Sequence, residues 1–205
     1  MNNFFIAGTD TDVGKTLVTT SLLAQAQQHN LTSIGCKPIA AGADLVGGKL
    51  VNDDALALQQ AASVKLEYNQ VNPYVFAEPI APHIAASLAD VEISLEKLVK
   101  HCRVLQQQAD VLIVEGAGGW YVPLNLQYTL ADLAQALDYK VIMVVDIKLG
   151  CINHALLTYK AISNSGLELA GWVANHTTAS VDAGQQIISD LSELITRSEE
   201  RRVGK

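Results

Sequence analysis

Gly8-Thr9-Asp10-Thr11-Asp12-Val13-Gly14-Lys15-Thr16 decides how the rest of the chain is read. The apolar run Phe4 to Ala7 before it suits a short buried strand, and Leu17 to Gln28 after it has apolar positions at helical spacing. The stretch therefore joins a strand to a helix. A loop of this kind aims successive backbone N–H groups and a helix N-terminus at an anion, while Lys15 adds a mobile charge. Thr16 would offer its hydroxyl to a magnesium ion. A bare Gly-Lys-Thr tripeptide is weak, since a glycine turn ahead of a surface helix reads the same way; its place between strand and helix makes it a nucleotide loop. Its first glycine is off register, because the common pattern wants glycine at Thr9, so the loop is one residue longer than that pattern.

With 205 residues and 49% hydrophobic content, the chain can form one α/β domain that buries about 70% of its unfolded surface. A single domain over residues 1–196 is expected, followed by a charged tail, 197–205, read as frayed or artefactual. The net charge of −7 argues against nucleic acid or an anionic membrane as partner, since both need a basic face. Cys36, Cys102 and Cys151 lie far apart without C-x-x-C spacing, which suggests neither a disulfide framework nor a zinc site and fits a reducing cytosol. No basic region with a cleavage site opens the chain, and no apolar run approaches a membrane span, so a cytoplasmic protein is expected.

Further along, Thr32 to Lys37 reads as a strand ended by Pro38. Lys37 at its carboxyl end is a candidate site residue, because ligands bind at that edge of open parallel sheets; a lysine that merely snorkels from a strand end is the plainer reading. Ala40 to Ala43 and Gly47-Gly48 read as a flexible connection. Asn52 or Asp53 can cap a helix from Ala55 to Ala62, leaving Asp54 either as first-turn acid or as a metal-directed carboxylate. The prolines at 73, 79 and 82 make residues 68 to 83 an ordered loop, with His83 more often a hydrogen-bonding group than a catalyst. Ser94 caps a helix without evident chemistry. The run Asp110 to Val114 fits a strand buried on both faces and ended by Glu115, placed either to hold a nucleotide's magnesium or as a solvated acid at a glycine turn. After a helix over Thr129 to Leu137, the strand Lys140 to Val145 ends at Asp146, Lys148 and Gly150. The helix opening at Gly150 could receive a substrate carboxylate. A last strand ends at Asn175, which suits an adenine edge or a turn.

With GTDTDVGKT, Lys37-Pro38, Asn52-Asp53-Asp54-Ala55, Val71-Asn72-Pro73-Tyr74, Pro82-His83, VEGAGGW and KLGCINHA in this order, the chain resembles the dethiobiotin synthetases over residues 4 to about 178. The combination is not shared by P-loop proteins at large. The resemblance implies a three-layer, doubly wound, mostly parallel α/β fold of P-loop NTPase topology. It implies an ATP-dependent ligase of biotin synthesis that carboxylates 7,8-diaminononanoate with CO2 and closes the ureido ring. It also implies ATP bound by Asp12, Val13, Gly14, Lys15, Thr16, Leu17, Asp54, Glu115, Gly116, Ala117, Gly118, Asn175 and His176. Mg2+ would rest on Thr16, Asp54 and Glu115, with Lys37, Lys15 and Lys148 as catalytic lysines. Ala41, Gly150, Cys151 and Asn153 would touch substrate, the last three across the interface of a homodimer.

Two departures stand out. The family usually carries a hydroxyl residue where this chain has Ala41, and the charged end Arg197 to Lys205 resembles nothing in the family and suggests a shortened C-terminus. Two other functions remain open at this point. One is a nucleotide-binding module of the same fold without turnover. The other is a nucleotide switch like the chromosome-partitioning ATPases, against which counts the absence of a lysine from Thr9 to Val13.

Overall fold

Strands with apolar side chains on both faces need helices above and below, and that requirement sets the architecture. A computed structural model describes residues 2–177 and 183–203, with side chains to residue 195. Five strands make the central sheet: β1 (Asn2–Gly8), β2 (Ser33–Cys36), β7 (Val111–Gly119), β8 (Lys140–Asp146) and β9 (Leu169–Asn175). Their order is β2-β7-β1-β8-β9 and every pairing is parallel. The expected three-layer parallel fold is thus the observed one.

Alternation along the strands divides the core. Ile6, Val111, Ile113 and Val144 face helices α1 (Lys15–Gln28) and α2 (Asp53–Ala61), where they meet Val18, Leu23, Ala55 and Leu58. Phe5, Leu112, Val114, Val141 and Met143 face the opposite layer. That layer contains α4 (Pro82–Leu88), α5 (Leu95–Gln106), α6 (Leu130–Leu137), α7 (Cys151–Asn164) and α8 (Gly184–Val203). Phe5 meets Trp120 edge to face at 6.1 Å, tying β1 to the end of β7.

Small elements carry the crossover between β2 and α4. They are β3 (Ile39–Ala40), β4 (Asp44–Val46), β5 (Lys49–Val51), α3 (Tyr68–Val71) and β6 (Tyr74–Val75). The connection expected to be flexible is instead a hairpin: β4 and β5 pair antiparallel around Gly47 (φ 58°) and Gly48 (φ 80°). Two consecutive left-handed residues make the tight turn whose twist matches the flanking strands, and glycine supplies both. Asn52 caps α2 by accepting the Ala55 N–H at 3.3 Å, Ser94 caps α5, and Thr129 caps α6 with a reciprocal Asp132 contact.

One strand boundary differs from expectation. β7 does not end at Glu115 but runs to Gly119, because a bulge lets β1 step from Ile6 to Gly8 while β7 steps from Glu115 to Gly119. Glu115 is therefore inside the sheet and wholly buried, which removes the solvated-acid alternative. The backbone of α8 is helical to Val203. The side chains from residue 196 on, and residues 204 and 205, lie outside the described set, so the frayed tail over 197–205 stays an expectation. No helix among the described residues is long and apolar enough to cross a membrane.

Candidate active site

The phosphate loop follows β1 and is shaped by its own contacts. A Cβ on Gly8 would lie 2.8 Å from both the Asp10 carbonyl and Lys15 Nζ and 2.9 Å from the Gly118 carbonyl, so only glycine fits. Asp12 (φ 55°) and Gly14 (φ 90°) are both left-handed, and Lys15 Nζ closes the loop by donating to the Asp10 carbonyl at 3.0 Å. Burial, then repulsion from Lys37, pulls the Lys15 ammonium down to about 8, against the attraction of Glu115, Asp54 and Asp12.

Lys37 lies just past β2, at the carboxyl edge of the sheet, and is 4% exposed. Its backbone is pinned by a buried amide: Asn72 Nδ2 donates to the Lys37 carbonyl at 2.7 Å and to the Tyr74 carbonyl at 3.0 Å. The Lys37 ammonium donates to Asp54 Oδ2 and Glu115 Oε1, each at 2.7 Å. Burial alone would lower its pKa, but Glu115 and Asp54 outweigh burial and hold the ammonium above its ordinary value. The reverse holds at Asp54, where burial is overcome by Lys37 and the carboxyl is held low. Lys37 is an ion-paired group in the floor of the site, and the snorkelling alternative is removed.

Thr16 completes the cluster by donating its hydroxyl to Glu115 Oε1 at 2.9 Å. Glu115 Oε2 is buried without a hydrogen-bond partner among the described residues. Thr16, Asp54 and Glu115 thus converge on one point. Two carboxylates and a hydroxyl are the hard oxygen donors that Mg2+ takes when phosphate oxygens fill the remaining positions. Among the described residues, no cluster of three or more His, Cys, Asp and Glu side chains could hold a metal unaided.

Thr16, Lys37 and Asp54 floor a cleft of about 930 Å³ whose two sides differ in chemistry, and Glu115 lies buried outside its lining. Thr11, Asp12, Gly14, Lys15, Thr16, Lys37 and Asp54 give the polar side, joined by Ala117 and Gly118. Pro79, Ile80, Pro82, Val122 and Pro123 give an apolar wall, with Ala41 and Gly42 between. Gly116 is not in the lining: a Cβ there would lie 3.2 Å from the Ile6 carbonyl and against the Phe5 ring, so packing requires its small size. Val13 is buried behind the loop, and Leu17 is exposed beyond it.

Other candidates stand apart from the cleft. Lys148 pairs with the buried Asp146 at 3.4 Å. Gly150 and Asn153 are exposed at the start of α7, while Cys151 is buried with its amide bonded to the Lys148 carbonyl at 3.0 Å. Asn175, last in β9, donates Nδ2 to the Val13 carbonyl at 2.9 Å, and exposed His176 follows it. His83 keeps Nδ1 buried without a partner among the described residues and does not line the cleft. Two positioning residues have no site role assigned from the sequence: Asn72, which fixes Lys37, and Asp146, which accepts the Thr177 N–H at 3.0 Å and pairs with Lys148. Asp146 was visible as an acid closing an apolar run; Asn72 stood only within the Val71-Asn72-Pro73-Tyr74 motif of the family resemblance, with no role attached.

A parallel sheet with a glycine-lysine-threonine loop after its first strand defines a P-loop nucleotide-binding domain. The profile of the AAA domain family matches residues 2–204. The fold is similar to that of a ParA family ATPase from Chlorobium tepidum TLS, with a TM-score of 0.53 at 12% identity over 92% of this chain and 80% of that one. The ATP-dependent dethiobiotin synthetase BioD of Cellvibrio japonicus (strain Ueda107) is 51% identical over 192 residues, 94% of this chain and 84% of the relative. The protein of the same name from Aeromonas hydrophila subsp. hydrophila is 47% identical over 196 residues, 95% of this chain and 87% of the relative. The chain belongs to the dethiobiotin synthetase family.

Proposed function

We propose that the chain is an ATP-dependent dethiobiotin synthetase, joining 7,8-diaminononanoate and CO2 with hydrolysis of ATP to give dethiobiotin, ADP and phosphate. The observation that carries this is Lys37, a buried ammonium on the cleft floor beside the phosphate loop. One substrate amine forms a C–N bond to CO2 and loses a proton, giving a carbamate. A carbamate oxygen then takes the γ-phosphoryl group and ADP leaves. The second amine attacks the activated carbon, phosphate leaves, and the ring closes. Such transfer needs positioning and charge neutralisation more than covalent help. Lys15 and Lys37 supply positive charge where two anions must approach one another. Thr16, Asp54 and Glu115 would hold Mg2+, which neutralises phosphate charge when bound. The phosphate loop from Asp12 to Leu17, with Ala117 and Gly118, would cradle the phosphates, and Asn175 with His176 would face the base.

The apolar wall from Pro79 to Pro82, with Val122 and Pro123, suits the hydrocarbon chain of the diamine. Gly150 to Asn153 we assign to the substrate carboxylate of a second copy. In support, Leu149 is 98% exposed, and the helix leaves the amides of Ile152 and Asn153 without intrahelical partners. A homodimer follows from that assignment. Unpaired thiols at Cys36, Cys102 and Cys151 support a reducing cytosol as the compartment.

Incubation with diaminononanoate, bicarbonate and Mg-ATP should yield dethiobiotin, detected by mass. Folded protein that makes none overturns the reading, and ATP binding without substrate-dependent phosphate release would mark a binding module instead.

A further inference from the structure

We propose that Asn175 is a positioning residue for the phosphate loop, fixing the peptide between Val13 and Gly14. Asn175 Nδ2 donates to the Val13 carbonyl at 2.9 Å, across 162 positions of sequence. Its backbone is anchored independently, its carbonyl accepting the Ile147 N–H at 2.8 Å. The amide also packs on the turn itself: a Cβ at Gly14 would collide with Asn175 Nδ2 and lie 3.2 Å from Cγ.

In a planar trans peptide the C=O and N–H point in opposite directions. Pinning the Val13 carbonyl on Asn175 therefore fixes where the Gly14 N–H points. The loop needs such a brace, because Asp12 and Gly14 on either side of Val13 are both left-handed and glycine tolerates several backbone states. A flip of this peptide would exchange an N–H for a carbonyl at an anion site, replacing attraction with repulsion. With Nδ2 committed to the loop, the Asn175 amide keeps its Oδ1 as the acceptor for a base's exocyclic amine. One side chain then links base recognition to phosphate geometry. The inference rests on the reading of this loop as the ATP site.

A base-free probe separates the two roles. Binding of inorganic tripolyphosphate with Mg2+ is measured by calorimetry for wild type, Asn175→Ala and Asn175→Leu, alongside ATP and GTP and the melting midpoint of the ligand-free protein. Leucine fills a similar volume without a donor, so it carries the test should the alanine variant not fold. Loss of the brace weakens tripolyphosphate by about three- to tenfold, as expected for one hydrogen bond, with the melting midpoint shifted by no more than a few degrees. Tripolyphosphate affinity equal to wild type overturns the brace, whatever happens to base preference. Weakened tripolyphosphate with an unchanged ATP-to-GTP ratio keeps the brace and removes the base-reading role. No tripolyphosphate or ATP binding by wild type would reject the nucleotide-site reading and the brace with it.

Discussion

The ammonium of Lys37, just past β2, stands 2.7 Å from Oε1 of Glu115, which is wholly buried inside β7. A fully buried carboxylate beside a hydroxyl and an ammonium has little reason to be there except charge that arrives later. Lys37→Gln should lower turnover by about a hundredfold or more while ATP affinity stays within about threefold, since the bridging charge acts on the reacting oxygens. The same change leaves Glu115 without its cation and should destabilise the ligand-free protein by about 3–5 kcal/mol. Steady-state kinetics, ATP calorimetry and thermal melting read the three quantities; unchanged turnover would refute the bridging role.

Because Lys37 already engages both proposed metal carboxylates, a divalent cation arriving without nucleotide meets an ammonium on its ligands. Two unit charges about 4 Å apart repel by about 4 kcal/mol at an effective dielectric of 20. Lys37→Met should therefore bind Mn2+ at least about tenfold more tightly than wild type in the absence of nucleotide, followed by electron paramagnetic resonance. Lys37→Arg keeps the charge and should not. Equal Mn2+ affinity in the methionine variant and wild type would mean that Asp54 and Glu115 do not form the metal site.

The loop from Gly8 to Thr16 and the polar strand ends at Lys37, Asp146 and Asn175 were legible because each follows an apolar run that only a buried strand explains. What those side chains touch was not. Glu115 looked like a strand terminus since glycines follow it, and only the bulge against Ile6 and Gly8 extends β7 past it. The β4–β5 hairpin left no alternation to read, all three residues of Asp44–Val46 being exposed. The partners of Lys37 lie 17 and 78 positions away. Pairing at such separations is a property of the packed sheet rather than of any local pattern.

Ala41 lines the cleft between its charged floor and its apolar wall. A hydroxyl at this position, as the family resemblance implies for other members, would add one polar contact worth about 0.5–1.5 kcal/mol. Ala41→Ser should lower the KM for diaminononanoate by about two- to tenfold and leave ATP affinity unchanged. A KM that rises or stays constant would mean that substrate does not reach this part of the wall.

Gly14 has φ 90° and a neighbour where its Cβ would be. Gly14→Ala must either displace Asn175 or abandon the left-handed turn, and either change misdirects the loop amides. Affinity for Mg-ATP should fall by about a hundredfold or more, with the circular-dichroism spectrum unchanged; retained affinity would show that the loop tolerates a different path.

Asp146 is buried, accepts the Thr177 N–H and pairs with Lys148. Burial by itself raises its pKa, but the Thr177 hydrogen bonds and then Lys148 prevail and hold the carboxyl below its ordinary value. A carboxyl whose folded pKa is depressed adds stability above the unfolded pKa, near 3.9, and loses it as pH falls through the folded value. Asp146→Asn keeps an acceptor for Thr177 but not the charge. The variant should be less stable by about 1–2 kcal/mol at pH 7, the margin between charged and neutral hydrogen bonds. Below pH 4 the gap should narrow, because the unfolded wild-type chain takes up its proton first and the folded carboxyl follows only as pH falls through its depressed value. Melting curves from pH 7 down to pH 3 test this, and a stability gap that stays constant with pH would show that the Asp146 charge contributes nothing.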